Sequence, residues 1–253
     1  MQKFLILPSI PVPPDGGTAE TRTRMQIPDI IIAIDGFSAT GKSTLARKIA
    51  ETFSFLYLDS GALYRGVTLF ARENGLISAD GKIRSQALQE ALQQGLDLHF
   101  SPGGTCIGTR SIEQEIRTME VSGLVSPVAA EPYVRAFVDA KLHEFAARGR
   151  VVMDGRDIGT DVFPEAQLKI FVTARQEVRA RRRYDEMAAK GETPDMEAVM
   201  ANLAERDYID SHRETHPLRR AEDAFVLDNS EMTLQDEIAW VRGLIQGRFD
   251  ILE

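Results

Sequence analysis

Residues 30–53, IIIAIDGFSATGKSTLARKIAETF, constrain the chain more than any other stretch. The β-branched run Ile30 to Ile34 predicts a strand buried on both faces. Gly36 to Ser43 then satisfies G-x-x-x-x-G-K-[ST]. Leu45, Ile49 and Phe53 recur at four-residue spacing, which predicts a helix. Strand, glycine loop and helix in that order are the context in which this motif binds a nucleoside triphosphate.

The residue types explain the chemistry. Gly36 and Gly41 let the backbone turn tightly and approach an anion. Phe37, Ser38, Ala39 and Thr40 form the loop, and its N–H groups with those of Lys42, Ser43 and Thr44 face the phosphates at a helix N-terminus. Lys42 can reach the β- and γ-phosphates, and the Ser43 hydroxyl can ligate Mg²⁺. The motif alone does not separate a kinase from a GTPase, a motor or a nucleotide sensor. A guanine-reading N-K-x-D is absent from the chain, and so are visible partner-binding modules.

Further motifs follow the same alternation. Phe55–Leu58 predicts a second strand, closed by Asp59-Ser60-Gly61, with a helix from near Ala62. Ser60 and Arg65 then stand where the C-terminal edge of a parallel sheet opens a ligand crevice; a plain N-cap and a surface arginine are the alternative. Val151–Met153 predicts a strand ending in Asp154, the place of a Mg²⁺ partner, with Arg156 and Asp157 next. Gln167–Thr173 predicts another strand, so a parallel, doubly wound α/β sheet is expected. Residues 76–150 read as a small β-rich insertion followed by an amphipathic helix. That helix carries Val134, Phe137, Val138, Leu142 and Phe145 on one face and Arg135 off the stripe.

Charge is distributed unevenly. The chain has 38 Asp+Glu against 30 Lys+Arg and a net charge of −8, which argues against general nucleic-acid binding. Yet residues 174–187, ARQEVRARRRYDEM, hold Arg175, Arg179, Arg181, Arg182 and Arg183. On a helix, Arg175, Arg179, Arg182 and Arg183 share one face and Arg181 points elsewhere. Such a face repels itself unless an anion lies opposite. A triphosphate on the glycine loop supplies one, so a helical lid that closes over the phosphates is expected; a solvated face paired with Glu177, Asp185 and Glu186 is the alternative. ERDYIDSHR adds Arg206, Asp210 and Arg213 at helical spacing, suited to a phosphate or a sugar hydroxyl. His99, His143, His212 and His216 lack metal-ligand spacing and are expected to be surface or structural residues. The single cysteine, Cys106, permits no intrachain disulfide, and no apolar run is long enough for a membrane span. Residues 1–28, rich in Pro, Gly and Thr, read as a disordered extension, with Met25 a candidate start.

Taken together, IDGFSATGKST, LDSGALYR, IRTMEVSGLVSPVAAEPYVR, DGRDIGTDVFPEAQLKIFVTA and ERDYIDSHR resemble the bacterial cytidylate kinase family, in that order and over most of the chain. The resemblance implies a P-loop fold with a five-stranded parallel core over 29–75 and 150–253. It also implies a nucleoside-monophosphate-binding insertion at about 76–149 and a lid at about 175–213. It implies transfer of the γ-phosphate of ATP to CMP or dCMP with Mg²⁺. Lys42, Arg179, Arg182 and Arg183 then offset the developing charge, and Ser43 with Asp154 holds the metal. Ser60, Arg65, Arg156 and Arg213 are implied to orient the acceptor phosphate. Ser126, Arg135 and Asp157 are implied to read cytosine, and Arg206 and Asp210 to hold the sugar hydroxyls. A carboxylate suits the cytosine amino group and opposes the O4 of uracil, so UMP should be disfavoured. The implied enzyme is a cytoplasmic monomer that acts on small nucleotides, binding neither nucleic acid nor membrane. Phe37 departs from the family pattern, which usually has Pro there. Sister kinases acting on AMP or shikimate, and a non-catalytic nucleotide-binding regulator, are the rival readings.

Overall fold

The apolar run that opens the glycine motif forms strand β1 (Ile31–Gly36), with Ile32, Ala33 and Ile34 fully buried. The structure, a computed structural model, describes residues 27–78, 81–101, 104–147 and 149–251. Of the extension expected over 1–28, all but two residues lie outside the described ones; Ile27 is buried and packs into the core. Strands β2 (Leu56–Asp59), β6 (Val151–Gly155), β7 (Leu168–Thr173) and β8 (Phe225–Asp228) join β1 in a sheet ordered β2-β6-β1-β7-β8. All its pairings are parallel, as the alternation of strands and helices predicts. In this register Asp35 stands opposite Gly155 on one side and Phe171 on the other.

Helices cover both faces. Alternate β6 residues face opposite ways: Val152 joins one core cluster, Val151 and Met153 the other. On the Val152 face lie α1 (Lys42–Phe53) and α8 (Leu234–Arg248), which bury Leu45, Ile49, Val241 and Ile245. The opposite face holds α2 (Ser60–Glu73), α3 (Ser85–Gln93), α4 (Met119–Ala130) and α5 (Pro132–Ala146). A three-stranded antiparallel sheet of β3 (Leu98–Ser101), β4 (Gly104–Ile107) and β5 (Arg110–Ser111) packs there too, within the segment that reads as β-rich. Gly66 of α2 permits this approach, since a Cβ there would lie 2.7 Å from Leu98 Cδ1. α6 (Gln176–Ala189) and α7 (Met196–His212) pack together through Ala180, Val199 and Leu203. Gly191, at φ +83°, lies in the connection between them. Among the described residues no helix is long and apolar enough to cross a membrane.

Candidate active site

The C-terminal ends of β1, β2 and β6 open onto a cavity of about 400 Å³. Ten Lys and Arg side chains line it against five Asp and Glu, an excess of cations in an acidic chain. That excess is the signature of a polyanion site.

The glycine loop forms one wall. Gly36 is required because a Cβ would run into the Val172 carbonyl oxygen. Gly41, at φ +84°, precedes α1, whose N-terminus has no side-chain cap, so its N–H groups stay available to an anion. Thr40 Oγ1 and Lys42 Nζ both donate to the Phe37 carbonyl at 3.0 Å. Phe37 itself is gripped: its ring meets Phe171 edge-on at 5.8 Å, and the Arg179 guanidinium lies over it at 5.4 Å. An aromatic ring therefore anchors the loop at this position. Ala39 sits at φ +57°; Thr44 lines the cavity beside Lys42 and Ser43. Lys42 is buried, and burial together with the nearby Arg156 charge lowers its pKa to about 7.

Ser43 Oγ donates to Asp154 Oδ2 at 2.6 Å, and Tyr57 Oη donates to the other carboxylate oxygen at 2.7 Å. Burial and the neighbouring Asp59 charge push the Asp154 carboxyl up. A buried carboxylate so placed favours a divalent cation. Among the described residues no group of three or more His, Cys, Asp or Glu could hold a metal. Ser43 and Asp154 bring two oxygens together at the phosphate end of the cavity, a sparse donor set that would fit Mg²⁺ better than a metal needing an all-protein cage.

The α6 arginines divide. Arg183 lines the cavity and bonds Glu186 at 3.0 Å. Arg179 and Arg182 lie outside its lining and hold the glycine loop by its main chain. Arg179 donates to the Ser38 carbonyl at 3.2 Å and pairs with Asp207; Arg182 donates to the Thr40 carbonyl at 3.2 Å and to Asn229. Arg175 stands before the first helical turn and pairs with Glu231, so it does not share their face. Arg181 points to solvent beside Asp185, as its spacing predicts.

The remaining predicted residues also gather at the cavity. Asp59 caps α2 through Ala62 N at 2.9 Å and holds Arg65 at 3.0 Å. α2 thus begins at Ser60 rather than near Ala62. Ser60 Oγ donates to the Asp154 carbonyl at 2.7 Å. Arg156 bridges Asp210 at 2.8 Å and Ser38 Oγ at 3.0 Å. Burial and the Arg156 charge lower the Arg206 pKa to about 10, and the buried Nε atoms of Arg206 and Arg65 find no hydrogen-bond partner among the described residues. Such groups call for an anion. Arg135, fully buried, pairs through Nη2 with Asp157 Oδ2; Arg213 donates to Asp157 Oδ1 at 3.2 Å. Ser126 lines the same cavity from α4. Burial opposes ionisation of Asp157, but its hydrogen-bond and charge partners hold the carboxyl below its usual range.

Sequence reasoning missed Asp35, Asp207 and Asn229, and did not foresee that His216 lies against Arg135 and Asp157. Asp35 accepts from Ile158 N at 2.8 Å and Gly159 N at 2.7 Å, fixing the π-helical turn after Asp157. Asp207 accepts from Ser38 N at 3.1 Å, and Asn229 donates to the Thr40 carbonyl at 2.8 Å. One signal was available: an acid ending an apolar, two-face-buried strand must find donors.

A family model for cytidylate kinase matches residues 32–246. A cytidylate kinase of Bacteroides thetaiotaomicron is 46% identical over 218 residues, covering 84% of this chain and 94% of that protein. The cytidylate kinase of Parabacteroides distasonis is 47% identical over 218 residues, and that of Porphyromonas gingivalis 48% over 221, with the same coverage. With the phosphate loop, the basic cavity and the buried Arg135–Asp157 pair in place, the chain belongs to the cytidylate kinase family.

Proposed function

We propose that the chain transfers the γ-phosphate of ATP to CMP or dCMP, giving ADP and CDP or dCDP. One observation carries this reading: a single cavity is lined both by the phosphate loop and by the buried Arg135–Asp157 pair, with an excess of guanidinium groups. The loop suits a triphosphate. The pair offers the edge of a base one acceptor and several donors, the complement of the cytosine amino group, N3 and O2.

The acceptor is already a phosphate oxyanion, so no general base is required. Catalysis is alignment and charge neutralisation. Lys42 and Arg183 face the cavity and meet the transferring phosphoryl group, while Arg179 and Arg182 keep the loop in shape by its carbonyls. Arg65 and Arg156 orient the acceptor phosphate, with Ser60 and Arg213 beside them; Arg206 and Asp210 hold the sugar hydroxyls. Ser43 and Asp154 would hold Mg²⁺. The ion would supply positive charge that offsets the charge of the phosphates. Closure of α6 and α7 over the nucleotides excludes water from the site.

Turnover on CMP, dCMP, UMP, AMP and shikimate, measured side by side by coupled ADP release, tests the reading. CMP and dCMP should be the preferred acceptors. Preference for AMP or shikimate would overturn the acceptor assignment, and ATP binding without ADP release would leave only a nucleotide-binding protein.

A further inference from the structure

The segment that follows α7 brings one titratable side chain against the base-reading pair. His216 has φ +49°, a conformation that non-glycine residues adopt only where the surroundings hold them. The surroundings are explicit. Arg213 Nε donates to the His216 carbonyl at 2.7 Å, and Arg135 Nε donates to His216 Nδ1 at 3.2 Å. The same Nδ1 lies 3.6 Å from Asp157 Oδ2 and 3.9 Å from Asp139 Oδ2. The imidazole therefore touches Arg135 and approaches Asp157, the two groups read as meeting the base.

Nδ1 cannot serve both neighbours at once. In the neutral ring with the proton on Nε2, it accepts from Arg135 Nε and fixes the guanidinium. In the imidazolium, it carries a proton, repels Arg135 and donates to Asp157 Oδ2. That oxygen already receives Arg135 Nη2, and the cytosine amino group needs a lone pair on the same carboxylate. We propose that His216 is a positioning residue of the acceptor-base subsite, whose neutral imidazole holds Arg135 and Asp157 in the arrangement that binds CMP. The proposal rests on the reading that these two residues meet cytosine.

The charged groups around the ring come from three elements. Arg135 and Asp139 belong to α5, Asp157 and Asp161 follow β6, and Arg213 ends α7. Asp161 is itself paired with Arg219 at 3.6 Å. The interaction with Asp157 raises the His216 pKa, opposed by partial burial and by the Arg135 charge. The imidazolium is accordingly present up to a pH above the ordinary histidine value of about 6.5. CMP affinity should then weaken as pH falls through that range.

The experiment compares the dissociation constant of CMP, by calorimetry without ATP, for wild type, His216→Asn and His216→Ala between about pH 6 and about pH 9. Asn tolerates positive φ, and its oxygen replaces Nδ1 as an acceptor that never titrates. The phosphate of CMP titrates near pH 6 in every protein, so only differences between profiles count. Wild type should lose about fivefold more affinity than H216N on going from high to low pH. H216A should bind weakly throughout, with turnover at saturating CMP little changed. Parallel profiles for wild type and H216N overturn the proposal, as does an H216N as weak as H216A. Asp157→Ala separates the two levels. If it keeps CMP affinity and preference over UMP, the base-reading assignment falls and the His216 role with it. If it loses both while the histidine profiles stay parallel, only the His216 role falls.

Discussion

Ser43 and Asp154 are 111 positions apart, yet Ser43 Oγ lies 2.6 Å from Asp154 Oδ2. The parallel pairing of β1 with β6 makes this possible, by setting the glycine loop beside the end of the second strand. On the proposed reading, the hydroxyl and carboxylate that share this hydrogen bond would turn to one small cation when it binds. Asp154→Asn keeps the shape but removes the charge. The Mg²⁺ concentration for half-maximal turnover should rise by about tenfold or more, while metal-free CMP binding stays near wild type. An unchanged Mg²⁺ requirement would remove Asp154 from the metal site.

Lys42 carries a second consequence of crowding. Burial and Arg156 lower its pKa to about 7, so above neutral pH the unliganded protein holds it largely uncharged. A triphosphate on the loop restores the charge by attraction. ATP binding at about pH 8.5 should take up a proton and at about pH 6 should not, because Lys42 is then already protonated. Calorimetry in buffers of different ionisation enthalpy measures this directly; heats independent of buffer at the higher pH would refute it. Lys42→Ala should abolish the uptake and lower turnover by about 10²-fold or more.

Arg182 grips the loop from outside the cavity, with Nη1 on the Thr40 carbonyl at 3.2 Å and Nη2 on the Asn229 carbonyl at 2.8 Å. A lysine cannot reproduce that fork. Arg182→Lys should therefore behave like Arg182→Ala, raising KM for ATP by about fivefold with little change in KM for CMP. Full rescue by lysine would show that charge alone matters there.

The pattern of what was readable follows from how each residue acts. Lys42 and Ser43 stand at fixed offsets in one strand–loop–helix unit, and Asp154 stands at the end of a separate apolar run; local sequence displays both signals. Arg179 and Arg182 were visible as charges, but helical spacing cannot tell whether a guanidinium meets a phosphate or loop carbonyls 141 and 142 residues away. Arg175 fell off the face because the helix starts after it. β8 escaped notice because its apolar run, Ala224 to Leu227 between Asp223 and Asp228, is too short for periodicity to mark it as a strand. His216 was legible only as a histidine without metal spacing; its neighbours Arg135 and Asp157 come from distant elements.

Asp35 gives a stability test. Burial is the main cause that raises its pKa to about 7, against an ordinary 3.8. Between these values the folded protein binds more protons at this site than the unfolded chain does. Stability from Asp35 is therefore greatest near pH 4, falls as pH rises to about 7, and is level above that. Asp35→Asn removes the titration while keeping one acceptor for the Ile158 or Gly159 N–H. The difference in Tm, wild type minus D35N, should shrink steadily across that window and then stay constant, other groups cancelling in the subtraction. A difference that stays level across that window, having grown only below about pH 4, would mean that the two main-chain donors hold Asp35 ionised, and that the strut beside Asp157 is a charged one.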